Sequence, residues 1–329
     1  MKAIGAALAA SLLLAASAQA EICSANGTFA IAVHGGAFSE KMDGAKRLEV
    51  MQAALEKARA SLKGGASALD VVSETVQAFE NSGVFNAGRG AIANAAGQVE
   101  ADASIMDGNG LRSGAVASMT KLKNPSVAAR LVMEAGRHVL VVGDRGQDYA
   151  IKLGAETVTP DYFGNTGKPK LEKPEAQKPE AKTPEHGTVG AVALDRCGHL
   201  AALTSTGGFD AKVPGRVGDS PIVGAGVYAA DGVAAFSGTG HGEFFIRNSV
   251  SKDAADRIRY GKQSLAKAMK GEIFGVLKPL DAEGGLIGVD AKGHVGLYFN
   301  TMGMFRGYAT DKEAPVVAQY GGATENKRK

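Results

Sequence analysis

Three pairs of short apolar segments in the second half of the chain restrict its fold more than any other feature. "TVGAVALD" and "HLAALTS" are joined around Asp195 to Gly198, and "GGLIGVD" and "HVGLYFN" around Asp290 to Gly293. Between them, "PIVGAGVYA" and "VAAFSG" are joined around Asp231-Gly232. Runs of this length bounded by Asp and Gly predict hairpins. The first and last pairs share the turn D-x-x-G-H, which reads as common turn chemistry rather than a repeat. From Glu243 to about Phe274 the pattern turns helical.

The first half is mixed. "FAIAVHGGAF" predicts a strand ending in a glycine turn at Gly35-Gly36. Leu48, Met51, Leu55, Ala58 and Leu62 recur at helical spacing until Gly64-Gly65, and Leu69, Val72, Val76 and Phe79 repeat the pattern. "VEADASIM" alternates, which predicts a half-buried strand. Asn124-Pro125 predicts a helix start with Asn as N-cap, closed by Gly136, and "HVLVV" a further strand. Strands and helices in this order predict an α/β or α+β sandwich of sheets covered by helices.

The N-terminus reads as a secretory signal: Lys2, an apolar stretch from Ala6 to Ala16, and Ala18-Gln19-Ala20. Cleavage after Ala20 is expected, with a mature chain starting at Glu21, exported to the periplasm or secreted, without a lipid anchor at Cys23. The formal charge of +3 becomes +2 without Lys2, too small and too evenly spread for nucleic acid or an anionic membrane. Cys23 and Cys197 are too few for a disulfide framework, though one bridge is allowed.

Residues 165–187 differ in texture. "KPEAQ", "KPEAK" and "TPEH" repeat from Lys173 to His186 and offer almost nothing to bury, so a mobile tether is expected. It runs straight into the strand that opens with Thr188. The six histidines have no metal-binding spacing, and there is neither a G-x-S-x-G elbow nor a Walker loop. What remains is a group of hydroxyls: Thr188, Thr204, Ser205, Thr206 and Thr239. A threonine hydroxyl needs an adjacent base. A cut before Thr188 would create one, an α-amino group with an unperturbed pKa of roughly 7.7–8.0. Gly187 leaves that bond unobstructed, and the β-branch of threonine holds Oγ in one direction. The plainer alternative is a linker that ends at an ordinary strand.

"HGTVGAVALD", "TSTGG", "PGRVGDSPIVGAG", "GTGHGE" and "FNTMGMFRG" resemble the plant-type L-asparaginase/isoaspartyl peptidase family, as do "VHGGA", "VFNAGRGAIAN", "DASIMDG" and "NPSVAARLVME" in the first half. The resemblance covers the mature chain apart from the tether and the last few residues. It implies a four-layer αββα sandwich, α+β in class, of the N-terminal nucleophile hydrolase type. It also implies self-cleavage between Gly187 and Thr188, giving an α subunit (21–187) and a β subunit (188–329) of one catalytic domain. Thr188 would be the nucleophile, with Thr206 supporting its activation and Thr239 and Gly240 stabilising the oxyanion. Arg216, Asp219 and Gly242 would hold the amino-acid part of the substrate, with Asn86 near the nucleophile.

The expected substrates are L-asparagine and β-aspartyl dipeptides, with no catalytic cofactor. A structural sodium ion would be held by the backbone carbonyls of Phe79, Glu80, Ser82, Phe85, Ala87 and Arg89, although Arg89 brings a charge to that loop. The active unit implied is a homodimer of α/β pairs, bound to neither nucleic acid nor membrane. Two rivals are a glycosylasparaginase, against which Gly187 counts because that branch usually has Asp there, and a non-catalytic exported amino-acid-binding protein. Arg216 and Asp219 as a surface ion pair is the plainer reading of those two residues.

Overall fold

The computed structural model describes Cys23 and residues 27–164 and 187–326. The signal segment and residues 165–186 of the tether lie outside the described residues.

In chain order, strand β1 (Ala30–Phe38) is followed by helices α1 (Ala45–Lys63) and α2 (Ala68–Ser82), strands β2 (Ala101–Asp107) and β3 (Arg112–Met119), and helix α3 (Pro125–Ala135). Strand β4 (Leu140–Val142) and helix α4 (Gly143–Lys152) end the first half. After Gly187 come β5 (Val189–Leu194), β6 (Leu200–Thr206), β7 (Val227–Ala230) and β8 (Ala234–Gly240). Helices α5 (Gly242–Asn248), α6 (Val250–Arg259) and α7 (Leu265–Lys270) follow, and then β9 (Gly284–Asp290), β10 (Val295–Phe299), β11 (Gly303–Thr310), β12 (Val316–Ala318) and β13 (Thr324–Glu325).

Two sheets form among the described residues, in the orders β12-β11-β1-β5-β6-β2-β3-β4 and β13-β10-β9-β8-β7. One core cluster joins α1, α2 and α3 to the outer face of the larger sheet, through Leu55, Val72, Phe79, Val132, Val33 and Leu203. A second fills the space between the sheets and beneath α6 and α7, through Ala32, Val192, Ala202, Phe236, Ile287 and Met269. The layers run helix, sheet, sheet, helix, which is the expected αββα sandwich. The hairpins at β5–β6 and β9–β10 share their turn chemistry. Asp195 Oδ1 accepts from Cys197 N and His199 N at 2.9 and 3.0 Å, and Asp290 Oδ1 from Lys292 N and His294 N, both at 2.9 Å.

Several expectations change. β1 does not end at Gly35-Gly36. It continues to Phe38 through an irregularity between His34 and Ala37. β2 is buried on both faces, because Asp102 and Ser104 face the second layer rather than water. Asn124 is the N-cap residue of α3, but its side chain does not cap. It donates instead to Glu80 Oε2 and Asn81 Oδ1, both at 2.9 Å. Only Leu140–Val142 of "HVLVV" and the last three residues of "PIVGAGVYA", which open β7, form strands. β11, which pairs with β1, was not anticipated, because "MFRGYAT" carries an arginine in mid-strand. That arginine, Arg306, is buried over the ring of Phe299 and donates to the carbonyls of Met304, Tyr320 and Gly322.

Candidate active site

β5 lies at the centre of the larger sheet between β1 and β6, so Thr188 enters the core edge rather than a surface. β5 can pass so close to the second sheet only because it carries no bulk at Gly190. A Cβ there would lie 2.0 Å from Ser237 Oγ and 2.4 Å from His34 Nε2. His34 is fully buried, with Nε2 2.9 Å from Ser237 Oγ, and burial holds its imidazole down to about 3. Ser237 Oγ lies 2.7 Å from Thr204 Oγ1, which donates onward to Gly226 O. This neutral chain fills the floor beneath Thr188.

Thr188 Oγ1 donates to Thr206 Oγ1 at 3.2 Å. Thr206 Oγ1 also accepts from Gly208 N at 3.0 Å, so its orientation is set by the turn that ends β6. Thr239, two per cent exposed near the end of β8, accepts from Ala37 N at 3.4 Å. Gly240 follows with φ +137°, where a Cβ would stand 2.4 Å from Glu283 O, so only glycine suits the position. These three threonines, Gly240 and Gly242 line one cleft with Arg216 and Asp219.

Arg216 forms a bidentate pair with Glu243, Nε to Oε1 and Nη2 to Oε2 at 3.0 Å each, and lies 4.5 Å above the ring of Phe209. The surface pair of Arg216 with Asp219 therefore does not form. Asp219 is five per cent exposed, and its Oδ2 has no hydrogen-bond partner. Burial pushes its carboxyl up to about 6, against the opposing pull of the Arg216 guanidinium. Gly242 admits both groups: a Cβ there would lie 2.8 Å from Asp219 Oδ1 and 2.9 Å from Arg216 Nη2. A buried carboxylate with an orphan oxygen beside a guanidinium suits a ligand bearing ammonium and carboxylate on one carbon.

Asn86 does not line that cleft. Its Nδ2 donates to Gly208 O at 2.6 Å and its Oδ1 accepts from Ile92 N, so it braces the turn after Thr206. Gly187 and Asn86 line a neighbouring hollow instead.

Sequence reasoning missed Glu243, Phe209 and a buried support beneath the Arg216 loop. Lys212 Nζ donates to Glu100 O at 2.7 Å, and the Glu100 carboxylate accepts from Gly215 N at 3.0 and 3.1 Å. No periodicity marks such residues, because their partners are distant or lie in loops: Lys212 and Gly215 meet Glu100, just before β2, while Phe209 and Glu243 meet Arg216. Glu80 is similar: buried in α2, it accepts from Ser126 N, Ser126 Oγ and Ser205 Oγ as well as Asn124 Nδ2. Its carboxyl is pushed up by burial and pulled back by those donors, and it ties α2 and the start of α3 to Ser205, the neighbour of Thr206.

The segment from Phe79 to Arg89 turns several carbonyls inward. A Cβ on Gly90 would stand 2.3 Å from Phe85 O and 2.7 Å from Gly83 O, and one on Gly88 would stand 2.9 Å from Glu80 O. The carbonyls of Phe79, Phe85, Ala87 and Arg89 accept from Ser82 Oγ, Ala87 N, Gly90 N and Gly164 N respectively, and a carbonyl oxygen carries two lone pairs. The guanidinium of Arg89 lies over the ring of Tyr162, 5.8 Å from its centroid. A hard monovalent cation would need carbonyl oxygens of this kind, and the Arg89 side chain is engaged elsewhere.

A family model described as asparaginase matches residues 27–319. The chain belongs to the asparaginase family. It is 42% identical over 320 residues to the isoaspartyl peptidase of Escherichia coli, covering 89% of this chain and 97% of the relative. Identity is 38% over 293 residues to the plant-type L-asparaginase of Pyrobaculum calidifontis, covering 86% and 97%. It is 41% over 240 residues to the isoaspartyl peptidase/L-asparaginase of Rattus norvegicus, covering 70% and 72%. This asparaginase-family chain is an amidohydrolase, and its sandwich is that of the N-terminal nucleophile hydrolases.

Proposed function

We propose that this enzyme hydrolyses the side-chain amide of L-asparagine and of β-aspartyl dipeptides, with Thr188 as nucleophile after self-cleavage between Gly187 and Thr188. One observation carries the reading: the hydroxyls of Thr188, Thr206 and Thr239 converge on a cleft that also holds the orphan carboxylate of Asp219 and the guanidinium of Arg216. The names of the relatives above point to the same substrates.

In the cleaved enzyme the α-amino group of Thr188 takes the proton of its own hydroxyl as Oγ1 attacks the β-carbonyl carbon. Thr206 Oγ1 offers the attacking oxygen a hydrogen-bond partner 3.2 Å away. Charge on the substrate oxygen meets the Thr239 hydroxyl and the Gly240 N–H, and loss of one such donor costs about 3 kcal/mol of barrier. Asp219 binds the α-ammonium and Arg216 the α-carboxylate, for which Arg216 gives up part of its pairing with Glu243. Water then releases aspartate from the acyl-enzyme.

The carbonyls of Phe79, Glu80, Ser82, Phe85, Ala87 and Arg89 would hold a sodium ion, which supplies charge that fixes their loop and, through it, Asn86. Export after removal of residues 1–20, and assembly as a dimer of α/β pairs, complete the proposal.

Thr188→Ala tests it. Intact mass should show one uncut chain, and turnover of asparagine and β-aspartyl dipeptides should fall below detection. Cleavage of that variant at the wild-type rate would show that another protease makes the cut.

A further inference from the structure

Thr188 stands between two hollows. The cleft described above lies on the side of its hydroxyl. On the side of its nitrogen lies a second hollow, whose lining includes Gly187, Asn86, Phe38, Met42, Arg47 and Phe305. The two share walls, since Asn86 donates to Gly208 O and Ala37 N donates to Thr239 Oγ1.

Chemistry decides what must stand in the second hollow. The base at this site is the Thr188 nitrogen, the atom bonded to Gly187 before cleavage. As the substrate's C–N bond breaks, that nitrogen returns its proton to the departing amine, which must therefore be within hydrogen-bond reach of it. Gly187 marks this side of the nitrogen. Ammonia from asparagine needs no further room. The leaving group of a β-aspartyl dipeptide is a whole amino acid, with an α-carboxylate and a side chain to place.

Arg47 is the charged side chain in the lining of this hollow among the described residues. Its fork is held in place: Nε donates to Val84 O at 2.8 Å, Nη1 lies 3.1 Å from Met42 Sδ, and the guanidinium lies 5.1 Å from the centroid of Phe305. Phe38, Phe85 and Phe305 supply apolar wall.

We propose that this hollow is the leaving-group subsite. It takes the C-terminal residue of a β-aspartyl dipeptide, with the α-carboxylate directed to Arg47 and an apolar side chain against the phenylalanines. This rests on the reading of Thr188 as nucleophile. The Oγ1–Cγ bond forms, the Cγ–N bond breaks, and the hydroxyl proton passes through the Thr188 amine to the leaving nitrogen. Water later supplies the hydroxyl that completes the β-carboxyl of the released aspartate and the proton that restores the Thr188 hydroxyl.

The test compares kcat/KM of the self-cleaved enzyme for L-asparagine, β-Asp-Leu and the C-terminal amide of β-Asp-Leu. One charge-assisted contact predicts that the acid is preferred to its amide by about tenfold. Arg47→Met should erase that preference and lower the ratio of β-Asp-Leu to asparagine turnover by about tenfold. Met42→Glu, which sets an anion beside Arg47 at a half-buried position, should lower the same ratio. Equal use of acid and amide by the wild type, or an unchanged ratio in both variants, would overturn the subsite. Parallel loss on all three substrates would count against it too, as a folding effect. So would a wild type that consumes asparagine and neither dipeptide, the result expected if the new Gly187 terminus keeps the hollow. A cleaved wild type inactive on all three would instead overturn the proposed function, and this subsite with it.

Discussion

At the scale of single residues, two buried titratable groups flank the reacting atoms and behave in opposite ways. His34 is held near 3, so it stays neutral throughout the working range and adds no acid limb to a rate profile. Asp219 is raised to about 6 because burial disfavours its charged form. Its carboxylate must be ionised to hold an ammonium, so kcat/KM for asparagine should fall as pH drops through about 6, chiefly through a rising KM. Asp219→Asn should remove that limb and raise KM by about 100-fold, the loss of one buried charged contact. The stability effect has the opposite sign. A carboxyl raised from 3.8 to about 6 binds its proton more tightly in the folded state, so its contribution to stability falls as pH rises between those values. At pH 7 Asp219→Asn should therefore melt at or above the wild-type temperature. A clear drop in Tm would mean that Asp219 supports the fold rather than the ligand.

At the scale of elements, β5 is a strand of small residues because it is covered on both sides. Gly190 faces His34 and Ser237 at distances no side chain tolerates. Gly190→Ala should destabilise the protein by about 1–3 kcal/mol through overpacking. It should also slow cleavage at Gly187–Thr188, because the displaced strand carries Thr188 with it. Denaturant unfolding and a time course of fragment formation measure the two effects, and normal values for both would show that the floor beneath Thr188 yields freely. The hairpins and the long amphipathic helices were legible because their signals are local: a turn motif, or apolar residues three and four apart. β11 was not, because Arg306 breaks its apolar pattern and is satisfied only by carbonyls from the C-terminal segment. The side chain of Asn124 was misread for the same reason: Glu80, 44 positions away, takes the Asn124 amide and accepts from Ser126 N, the backbone donor that a cap would have used.

At the scale of the whole molecule, the halves on either side of Gly187 are interleaved. β5 and β6 of the second half sit between β1 and β2 of the first, and β11 closes on β1. Cys23 and Cys197 are joined as a disulfide, so a cut before Thr188 would leave the halves both paired in one sheet and covalently linked. The matured protein should run as one band in non-reducing gels and as two after reduction. In native mass spectrometry it should keep both fragments together even after reduction, because the shared sheet does not need the bridge. Dissociation on reduction alone would show that the disulfide, not the sheet, holds the halves.

Sequence by itself determined the residue types and local order: hairpins with Asp-Gly turns, amphipathic helices, a glycine-threonine juncture, and the motifs that carry the family resemblance. Those follow from backbone preferences and from periods of two and 3.6 residues, which act over a few positions. Only the tertiary structure decided which groups meet. It set Thr188 3.2 Å from Thr206, made Asn86 a brace on the turn after Thr206, gave Arg216 to Glu243 and left an oxygen of Asp219 unpartnered. Such pairings depend on the order of strands in two stacked sheets, and no local propensity encodes that order.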